Sequence, residues 1–374
     1  MKKILSLVLL LFILIGCEPK EDEELPIDPL KPVEGCEEGT LDGGWVCIWA
    51  DEFEGEEIDE TKWNFEVNGY GGGNNELQYY TKENAEIVDG KLVITAKKES
   101  YLGKEYTSSR LTTKYKGDFT YGRFIIRAKL PSGAGTWPAI WMMPTMSAYG
   151  GWPNSGEIDI MEHVGRDADN VFSTIHTEKF NHMKGTQIGY DITLPTAETE
   201  FHEYEIIWNP GQILAFVDGE QFATFGYSAA FNQDVPYHAA FPFDQDFFLI
   251  LNLAIGGGLG GAVDNSIFPQ AFEIDYVRVY KYDYASIDKE VPSVVEDLQI
   301  AQLKNTIFWD ASDDDYGVEK YAIYVNDELY DFANLNQYTF DRLEKGTSYQ
   351  IKVQAVDFVG RASEMSQILS FTYL

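Results

Sequence analysis

The segment GEIDIMEHVG, residues 156–165, places three acidic residues, Glu157, Asp159 and Glu162, within six positions among isoleucine and methionine. Side chains of a β-strand alternate between its two faces, so Glu157 and Asp159 share one face. Strict alternation would put Glu162 on the opposite face. One extra residue, a β-bulge near Ile160–Met161, returns Glu162 to the acidic face, and bulges are common beside active sites.

The same spacing indicates a pair of carboxylates that can work together. Glu157 and Glu162 then lie four strand positions apart, which is roughly 13 Å between Cα atoms, and side chains that lean together close this to roughly 5–6 Å. Retaining glycosidases hold their two carboxyl groups about 5–5.5 Å apart. Asp159 lies between them, where neighbouring carboxylates raise each other's pKa. The alternative is a half-exposed strand with a charged outer face.

Two tryptophans just upstream argue against that alternative. Trp137 and Trp141 lie in the segment GTWPAIWM, residues 135–142. Flat aromatic faces suit sugar rings as well as protein cores. We therefore consider both tryptophans candidate sugar platforms, with core packing as the alternative.

The chain around these residues predicts an all-β protein. Alternating apolar residues, β-branched and aromatic enrichment, and Gly, Asn and Asp between the runs are typical of strands, and no long helical period is present. Residues 45–282 therefore predict one large β-sandwich of the jelly-roll type. The predicted strands include residues 91–96, 122–128, 203–208, 214–219 and 247–252.

At this point the sequence resembles glycoside hydrolase family 16, in the version of its signature that contains a bulge. The resemblance covers residues 45–282 and is greatest to the laminarinases, which are endo-β-1,3-glucanases with a concanavalin A-like fold. Its motifs occur in the family's order: Asp51–Phe53, Asn74–Thr81, Ser109–Leu111, Tyr121–Phe124, Trp152–Glu162, Leu251–Ala254 and Asp275–Tyr280.

The resemblance implies a role for each acid. Glu157 would be the nucleophile, Asp159 its assistant and Glu162 the general acid/base of a retaining double displacement. It implies a substrate-binding set as well, and His176 in that set could instead be an ordinary sheet histidine. That set comprises Trp137, Trp141, Arg110, Asn75, His176 and Asn252.

The resemblance implies no cofactor for catalysis and a structural Ca²⁺ on the face opposite the cleft. Asp275 matches the carboxylate ligand of that ion, with backbone carbonyls near Glu52 and Gly90 supplying further oxygens, which suit a hard cation. Asp275 could instead be a plain surface acid.

One departure from the family affects the substrate. Laminarinases usually carry a tryptophan in the glycine stretch after the Asn-Leu-Ala segment, whereas this chain has Leu259 within residues 255–261. A stacking platform is then missing from one subsite. Mixed-linkage β-1,3/1,4-glucan therefore stays open as an alternative substrate to laminarin.

Residues 293–374 predict a second, smaller domain after a polar linker at 283–292. Trp309 near an early strand, and Leu343, Gly346 and Tyr349 before an alternating strand, resemble an immunoglobulin-like fibronectin type III module. Further strands are predicted at 321–325 and 350–356, with another beginning at 308–310. We expect a spacer role, with glycan binding as the alternative.

The amino-terminal residues predict export and a lipid anchor. Two lysines and an apolar run end at Gly16-Cys17, which resembles a bacterial lipobox with cleavage after residue 16 and lipid on Cys17. An ordinary signal peptide is the alternative. Residues 17–44 form an acidic tether, and its first acids resemble the export signal of surface-exposed lipoproteins. We therefore predict a bacterial outer-membrane lipoprotein that faces outward.

The net charge limits the classes of ligand that this protein can bind, and its cysteines indicate a disulfide. The 61 acidic and 28 basic residues give a net charge of −33, which argues against nucleic acid and strongly anionic polysaccharides. A neutral β-glucan and a monomeric protein are expected. Cys36 and Cys47 flank a Gly-rich turn, and a disulfide between them is expected outside the cytoplasm.

Three rival functions remain open. One is a surface lipoprotein that binds glycans without hydrolysing them, although such a protein would be expected to lack some of the three acids. Another is a different specificity in the same family, such as an agarase or a carrageenase. The last is a structural surface protein whose carboxy-terminal module is the active part.

Overall fold

The computed structural model describes residues 30–41, 43–228, 232, 235–301 and 305–374. Within these ranges the protein is all-β, and its helices are single turns. The predicted jelly-roll sandwich is confirmed, because a nine-stranded and an eight-stranded antiparallel sheet pack face to face over one hydrophobic core. The helical turns are a 3-10 helix at Gly71–Gly73, α1 at Tyr237–Ala240, α2 at Gly257–Gly260 and α3 at Tyr284–Ile287.

The first sheet, sheet A, contains nine of the described strands. Its order is β1-β2-β19-β10-β15-β16-β17, with β6 pairing to β19 and β5 to β6. Its strands are β1 Thr40–Leu41, β2 Trp45–Asp51, β5 Ala85–Val88, β6 Lys91–Ala96, β10 Gly122–Lys129, β15 His202–Asn209, β16 Gln212–Val217, β17 Glu220–Gly226 and β19 Gln270–Tyr282.

The second sheet, sheet B, carries the acidic segment. Its order is β14-β13-β12-β11-β18-β8-β3, with β9 pairing to β18. Its strands are β3 Asn64–Phe65, β8 Arg110–Thr112, β9 Asp118–Phe119, β11 Thr136–Pro144, β12 Glu157–His163, β13 Asn170–His176, β14 Ile188–Thr193 and β18 Phe247–Ile255. The strands β4 Gln78–Tyr80 and β7 Tyr106–Ser108 pair with each other outside both sheets.

Alternation along the central strands decides which face of sheet B is buried in the core. On β11, Ile140 and Met142 are fully buried in the core, while Trp137 and Trp141 on the other face are half-buried. On β18, the odd-numbered residues 247–255 enter the core and Asn252 lies on the opposite face. That opposite face of sheet B is therefore the surface on which functional side chains collect.

Several predicted strand bounds were wrong at their ends. Residues 91–96 form β6 as predicted, but β18 continues to Ile255, three residues beyond the predicted end. The prediction at 214–219 runs too far, since Asp218 and Gly219 form a turn with positive φ. The prediction at 308–310 starts too late, since its strand ends at Phe308.

Residues after the linker form two small sheets around a separate core. A three-stranded sheet has the order β20-β21-β24 and a four-stranded sheet the order β23-β22-β25-β26. Trp309 is buried in this core, and the Tyr349 hydroxyl accepts a hydrogen bond from the Glu344 backbone N–H, 3.0 Å away. The strands are β20 Gln299–Ala301, β21 Thr306–Phe308, β22 Val318–Val325, β23 Glu328–Ala333, β24 Gln337–Thr339, β25 Ser348–Asp357 and β26 Leu369–Thr372.

The amino-terminal part of the described chain is packed against sheet A. A disulfide joins Cys36 to Cys47, and Val33 and Leu41 pack beside it, so these residues of the predicted tether belong to the sandwich surface. Cys17, the predicted lipidation site, and the signal segment 1–16 lie outside the described residues. Within the described part of the chain, no helix combines the length and the apolar character needed to cross a bilayer.

Candidate active site

The predicted bulge lies in β12. Ala139 pairs with Glu162, and Trp141 pairs with Asp159. Between these two pairs β12 advances by three residues and β11 by two, so β12 contains one extra residue. The pairing with β13 shifts at the same place, between Asp159 and Glu162. Ile160 and Met161 are both buried in the core as a result, and the three acids share the outer face of sheet B.

Each of the two glutamates accepts a hydrogen bond from a tryptophan indole. The Trp137 Nε1–H donates to Glu162 Oε1 at 2.9 Å, and the Trp152 Nε1–H donates to Glu157 Oε2. Donation to a carboxylate favours its ionised form and fixes its orientation. Trp137 was predicted as a sugar platform, and the structure adds a further role, the hydrogen bond to Glu162.

His176 lies beside the acids, as predicted for the next strand. It is the register partner of Glu157 on β13, and its Nε2 lies 3.8 Å from Glu157 Oε1 and 3.4 Å from Asp159 Oδ2. It is buried, and the rings of Trp152 and His182 lie within 6.1 Å and 5.2 Å of it. A protonated His176 therefore has two carboxylates in reach.

Burial and mutual repulsion control the protonation of this cluster. Loss of hydration raises the pKa of Glu157, Asp159 and Glu162, with Glu157 and Asp159 well above their ordinary range. The Asp159 charge further raises the pKa of Glu157, whereas His176 and the Trp152 N–H oppose that rise. Three adjacent negative charges are unfavourable, so the cluster retains protons at a pH where isolated carboxyls have lost them.

A second group of side chains surrounds Trp141 on the same face. The Trp141 indole N–H donates to Asn252 Oδ1 at 2.7 Å, and the Arg110 guanidinium lies 4.7 Å from the Trp141 ring centre. Arg110 also pairs with Glu66 at 3.0 Å, and it is the register partner of Asn252. Three of the predicted substrate-binding residues therefore meet on β11, β18 and β8, the three strands that follow β12 in the sheet order.

Sequence reasoning missed the buried network that holds Asn252. Its carboxamide donates to the Tyr80 hydroxyl at 3.2 Å, which donates to Glu76 Oε2 at 3.1 Å, and Gln78 donates to the same oxygen at 2.7 Å. The alternating polar residues of 74–81 were the available signal. Trp152 was also missed, although it lies directly before the acidic strand.

Asn75 and Leu259 lie at the edge of this face. Asn75 is exposed with positive φ, in a loop whose Asn74 carbonyl accepts the Gly258 N–H at 2.9 Å. Among its described contacts, Asn75 has no hydrogen bond to the acids, so the structure does not bring it into their cluster. Leu259 is half-buried in α2, next to Gly260, whose position contacts Trp137.

The residues proposed for a structural Ca²⁺ lie on, or next to, strands of sheet A that pair with one another. Ile274 pairs with Leu92, two residues after Gly90, and Val277 pairs with Asp51, the residue before Glu52. Asp275 lies between these two pairings. Its carboxylate accepts from Arg127, and the Glu52 carboxylate accepts from Arg278 at 2.8 Å and 2.9 Å, so only backbone carbonyls of Glu52 and Gly90 would be free to join Asp275.

Glu157, Asp159 and His176 also have the residue types of a metal-ligand set. One potential ligand atom from each lies within 4.8 Å of the others. The same contacts suit proton sharing between two carboxyl groups and an imidazole. The site can thus hold two carboxyl groups on opposite sides of a bulge, one able to donate a proton and one able to attack.

Comparison with known proteins places these features in a family. Residues 72–257 match the model of glycosyl hydrolases family 16. The chain is 50% identical over 246 residues to a beta-glucanase of Rhodothermus marinus, covering 64% of this chain and 86% of that protein.

Solved structures agree with this match. The laminarinase from Rhodothermus marinus has 50% identity and a TM-score of 0.62, covering 64% of this chain and 98% of its own. The laminarinase from Flavobacterium sp. UMI-01 has 43% identity and a TM-score of 0.57, covering 63% of this chain and 100% of its own.

Proposed function

The chain belongs to glycosyl hydrolases family 16, and on that premise we propose that it is an endo-acting β-glucanase that hydrolyses internal β-1,3-glucosidic bonds of laminarin-type glucans with retention. The observation that carries the proposal is the bulge in β12. It puts Glu157, Asp159 and Glu162 on one face, and each glutamate has its own indole donor.

The first step cleaves the glycosidic bond. Glu162, protonated, donates its proton to the leaving oxygen while a Glu157 carboxylate oxygen attacks the anomeric carbon. The C–O bond to the leaving sugar breaks and an ester to Glu157 forms. Burial raises the pKa of Glu162, which favours the protonated form that this step requires.

The second step releases the product. Glu162, now ionised, removes a proton from water, and the resulting oxygen attacks the anomeric carbon. The ester bond breaks and Glu157 regains its carboxylate. Two displacements at one carbon restore the original β configuration.

Asp159 and His176 lie beside Glu157 and act on its ionisation in opposite directions. Asp159 is 3% exposed and hydrogen-bonded to Glu157, and its negative charge raises the pKa of Glu157. A positive charge on His176 lowers the pKa of Glu157. We propose that both are positioning residues for the nucleophile.

The face beside the acids supports a neutral sugar chain as ligand. Trp141, Arg110 and Asn252 offer an aromatic surface with hydrogen-bonding groups beside it, which is the combination that sugar rings require. We propose that Trp137 and Trp141 border the subsites on the donor side. Asn75 at the edge is proposed to contact a more distant sugar.

Leu259 favours one second candidate, hydrolysis of mixed-linkage β-1,3/1,4-glucan. An isobutyl side chain in α2 offers no flat surface for a sugar at the Trp137 end of the face. The laminarinase relatives favour β-1,3-glucan, so the mixed-linkage substrate is the lesser alternative.

We further propose that the protein is a lipoprotein anchored by lipid on Cys17 and exposed on the bacterial outer membrane, with residues 293–374 as a fibronectin type III-like spacer. The two sheets around Trp309, and the Tyr349 hydroxyl bonded to the backbone, support the module. A structural Ca²⁺ at Asp275 and the backbone carbonyls of Glu52 and Gly90 remains part of the proposal.

Product analysis tests the function. Protein lacking residues 1–17 is incubated with laminarin, barley mixed-linkage glucan and cellulose, and the oligosaccharides are separated. Short oligosaccharides from laminarin, formed early and with β-configured reducing ends, are the expected result. Products from barley glucan alone would move the assignment to the mixed-linkage candidate. An absence of products from all three would overturn the proposal.

A further inference from the structure

A second cluster of carboxylates lies where the linker meets the carboxy-terminal sheets. Asp288 follows α3 in the linker, Asp314 and Asp315 lie in the loop before β22, and one carboxylate oxygen from each lies within 4.8 Å of the others. Asp288 is fully buried, Asp314 is half-buried and Asp315 is exposed. A fourth aspartate, Asp357, ends β25 and is also fully buried.

Among the described residues, three of these aspartates use only one of their two oxygens in hydrogen bonds. Asp314 Oδ1 accepts the backbone N–H groups of Tyr316 and Gly317 at 3.0 Å and 2.9 Å. Asp357 Oδ1 likewise accepts two backbone N–H groups, at 2.9 Å and 2.8 Å. Asp288 Oδ1 accepts from Arg361 Nη1 at 2.6 Å.

The second oxygen of each is buried and has no hydrogen-bond partner among the described residues. These atoms are Asp288 Oδ2, Asp314 Oδ2 and Asp357 Oδ2. Asp357 points at the cluster, because Arg361 Nη1 lies 3.6 Å from Asp357 Oδ2 and also bonds Asp288. Buried carboxylate oxygens are expected to have partners, and one arginine does not balance four acids.

We propose that Asp288, Asp314, Asp315 and Asp357 form a binding site for one Ca²⁺ ion that ties the linker to the carboxy-terminal sheets. The donor set is purely carboxylate, which selects a hard cation over zinc or copper. Calcium binds oxygens at 2.3–2.6 Å, so two of its ligands lie at most about 5 Å apart, which suits the observed cluster. The exposed Asp315 gives the ion a route from solvent.

The charges around the site agree with a cation as the missing partner. Burial raises the pKa of Asp288, and the neighbouring Asp357 and Asp314 charges raise it further, while Arg361 opposes the rise. Burial likewise raises the pKa of Asp357, with a smaller contribution from the Asp314 charge, while Arg361 opposes the rise. The site differs from the Ca²⁺ position around Asp275, which lies on sheet A, and its existence does not depend on the glucanase activity.

Calcium titration by calorimetry on the metal-stripped protein tests the site. Asp314→Asn and Asp357→Asn keep the Oδ1 acceptor that holds the backbone and remove the charge, and Asp315→Asn changes an exposed residue without a role in the core. We expect each to weaken one Ca²⁺ site by at least about tenfold, from a Kd near 10⁻⁴ M that is typical of extracellular modules. Asp297→Asn, at an exposed aspartate with positive φ just before β20, is the matched control and should bind as wild type.

Thermal unfolding gives the second readout. In wild type and Asp297→Asn, 5 mM CaCl₂ should raise the melting temperature by about 5 °C or more, and this shift should shrink in the three cluster variants. Asp275→Asn separates the two sites, because it should leave this response intact. Equal Ca²⁺ binding and equal melting shifts in wild type, Asp315→Asn and Asp314→Asn would overturn the proposal, as would a wild type that binds no Ca²⁺ at 5 mM.

Discussion

The molecule gathers buried carboxylates in two places and surrounds them differently. At β12, Glu157 and Glu162 each accept from an indole N–H, and His176 lies close to Glu157 and Asp159. At the linker, Asp288, Asp314 and Asp357 each bond backbone N–H groups or Arg361 through one oxygen, and the other oxygen has no hydrogen bond among the described residues.

The difference indicates how each cluster handles its excess negative charge. At β12 the neutral N–H donors and the imidazole do not cancel all of the negative charge, so protons can bind to the carboxyl groups. These carboxyl groups can therefore exchange protons with a substrate. At the linker the fixed aspartates form a rigid set of oxygen atoms that a divalent ion can neutralise. One cluster is suited to proton transfer and the other to structure.

The largest expected effect is the loss of the nucleophile. Glu157→Gln keeps the size of the side chain and its contact with Trp152 but cannot form the ester, so kcat on laminarin should fall by about 10³-fold or more. The melting temperature should not fall, because one buried charge is removed. Glu86→Gln on β5, an exposed glutamate on the other sheet, is the control and should keep wild-type kcat. Near-normal turnover by pure Glu157→Gln protein would refute the assignment.

Substitution of the two indole donors, one at a time, should distinguish the role of Glu157 from that of Glu162. Trp152→Phe removes the N–H from Glu157 and Trp137→Phe removes it from Glu162, and each should lower kcat/KM about tenfold. Because each N–H favours the ionised form, each substitution raises the pKa of its glutamate. The acid limb of the pH–rate profile should therefore move to higher pH in Trp152→Phe, and the basic limb in Trp137→Phe.

Both limbs are read from kcat/KM measured across pH on laminarin. A shift of the same limb in both variants would show that the two tryptophans do not serve different carboxyl groups. Unshifted profiles in both would show that the N–H donors have no part in the ionisation of the cluster.

A smaller effect is expected on the pH dependence of the protein's stability. The folded protein holds the carboxyls of Glu157, Asp159 and Glu162 at raised pKa, so it binds more protons than the unfolded chain, whose carboxyls titrate near 3.8 and 4.5. This contribution to stability is complete below about pH 4 and is lost as pH rises through the raised values. The melting temperature should therefore decline less between pH 5 and 8 in Asp159→Asn than in wild type. A decline that is equal or steeper in Asp159→Asn would contradict the raised pKa.

The smallest expected effect is that of the linker cluster on catalysis. Asp314→Asn should change kcat and KM on soluble laminarin by less than about twofold, because Asp314 lies in the loop before β22, outside the sandwich. Initial rates with and without CaCl₂ measure this. A large loss of kcat would mean that the two clusters are coupled and that their separation here is wrong.

Part of the site could be predicted because it depends on neighbours in sequence. Glu157 and Asp159 have odd numbers and Glu162 an even one, so an extra residue was required to place all three on one face of the strand. The bulge is present at that place. His176 followed from its place on the next strand. These inferences need only alternation along a strand and pairing between consecutive strands.

Other features depend on residues far apart in the chain. The Tyr80 hydroxyl meets Asn252 from a separate two-stranded pair, a contact that alternation along a strand does not encode. The polar linker was predicted to be a plain connection, but Asp288 meets Asp314 and Asp357 from two other segments. Tertiary packing, which local patterns do not report, brings these groups together.

The most direct test of the account is to trap the covalent intermediate. A 2-deoxy-2-fluoro-β-laminaribioside with a good leaving group is incubated with the protein, which is then digested and analysed by mass spectrometry. We expect one fluorinated sugar on the peptide with Glu157, and no label when Glu157→Gln is used. Labelling of Glu162 instead, or inverted products without any labelled peptide, would contradict the retaining mechanism with Glu157 as nucleophile.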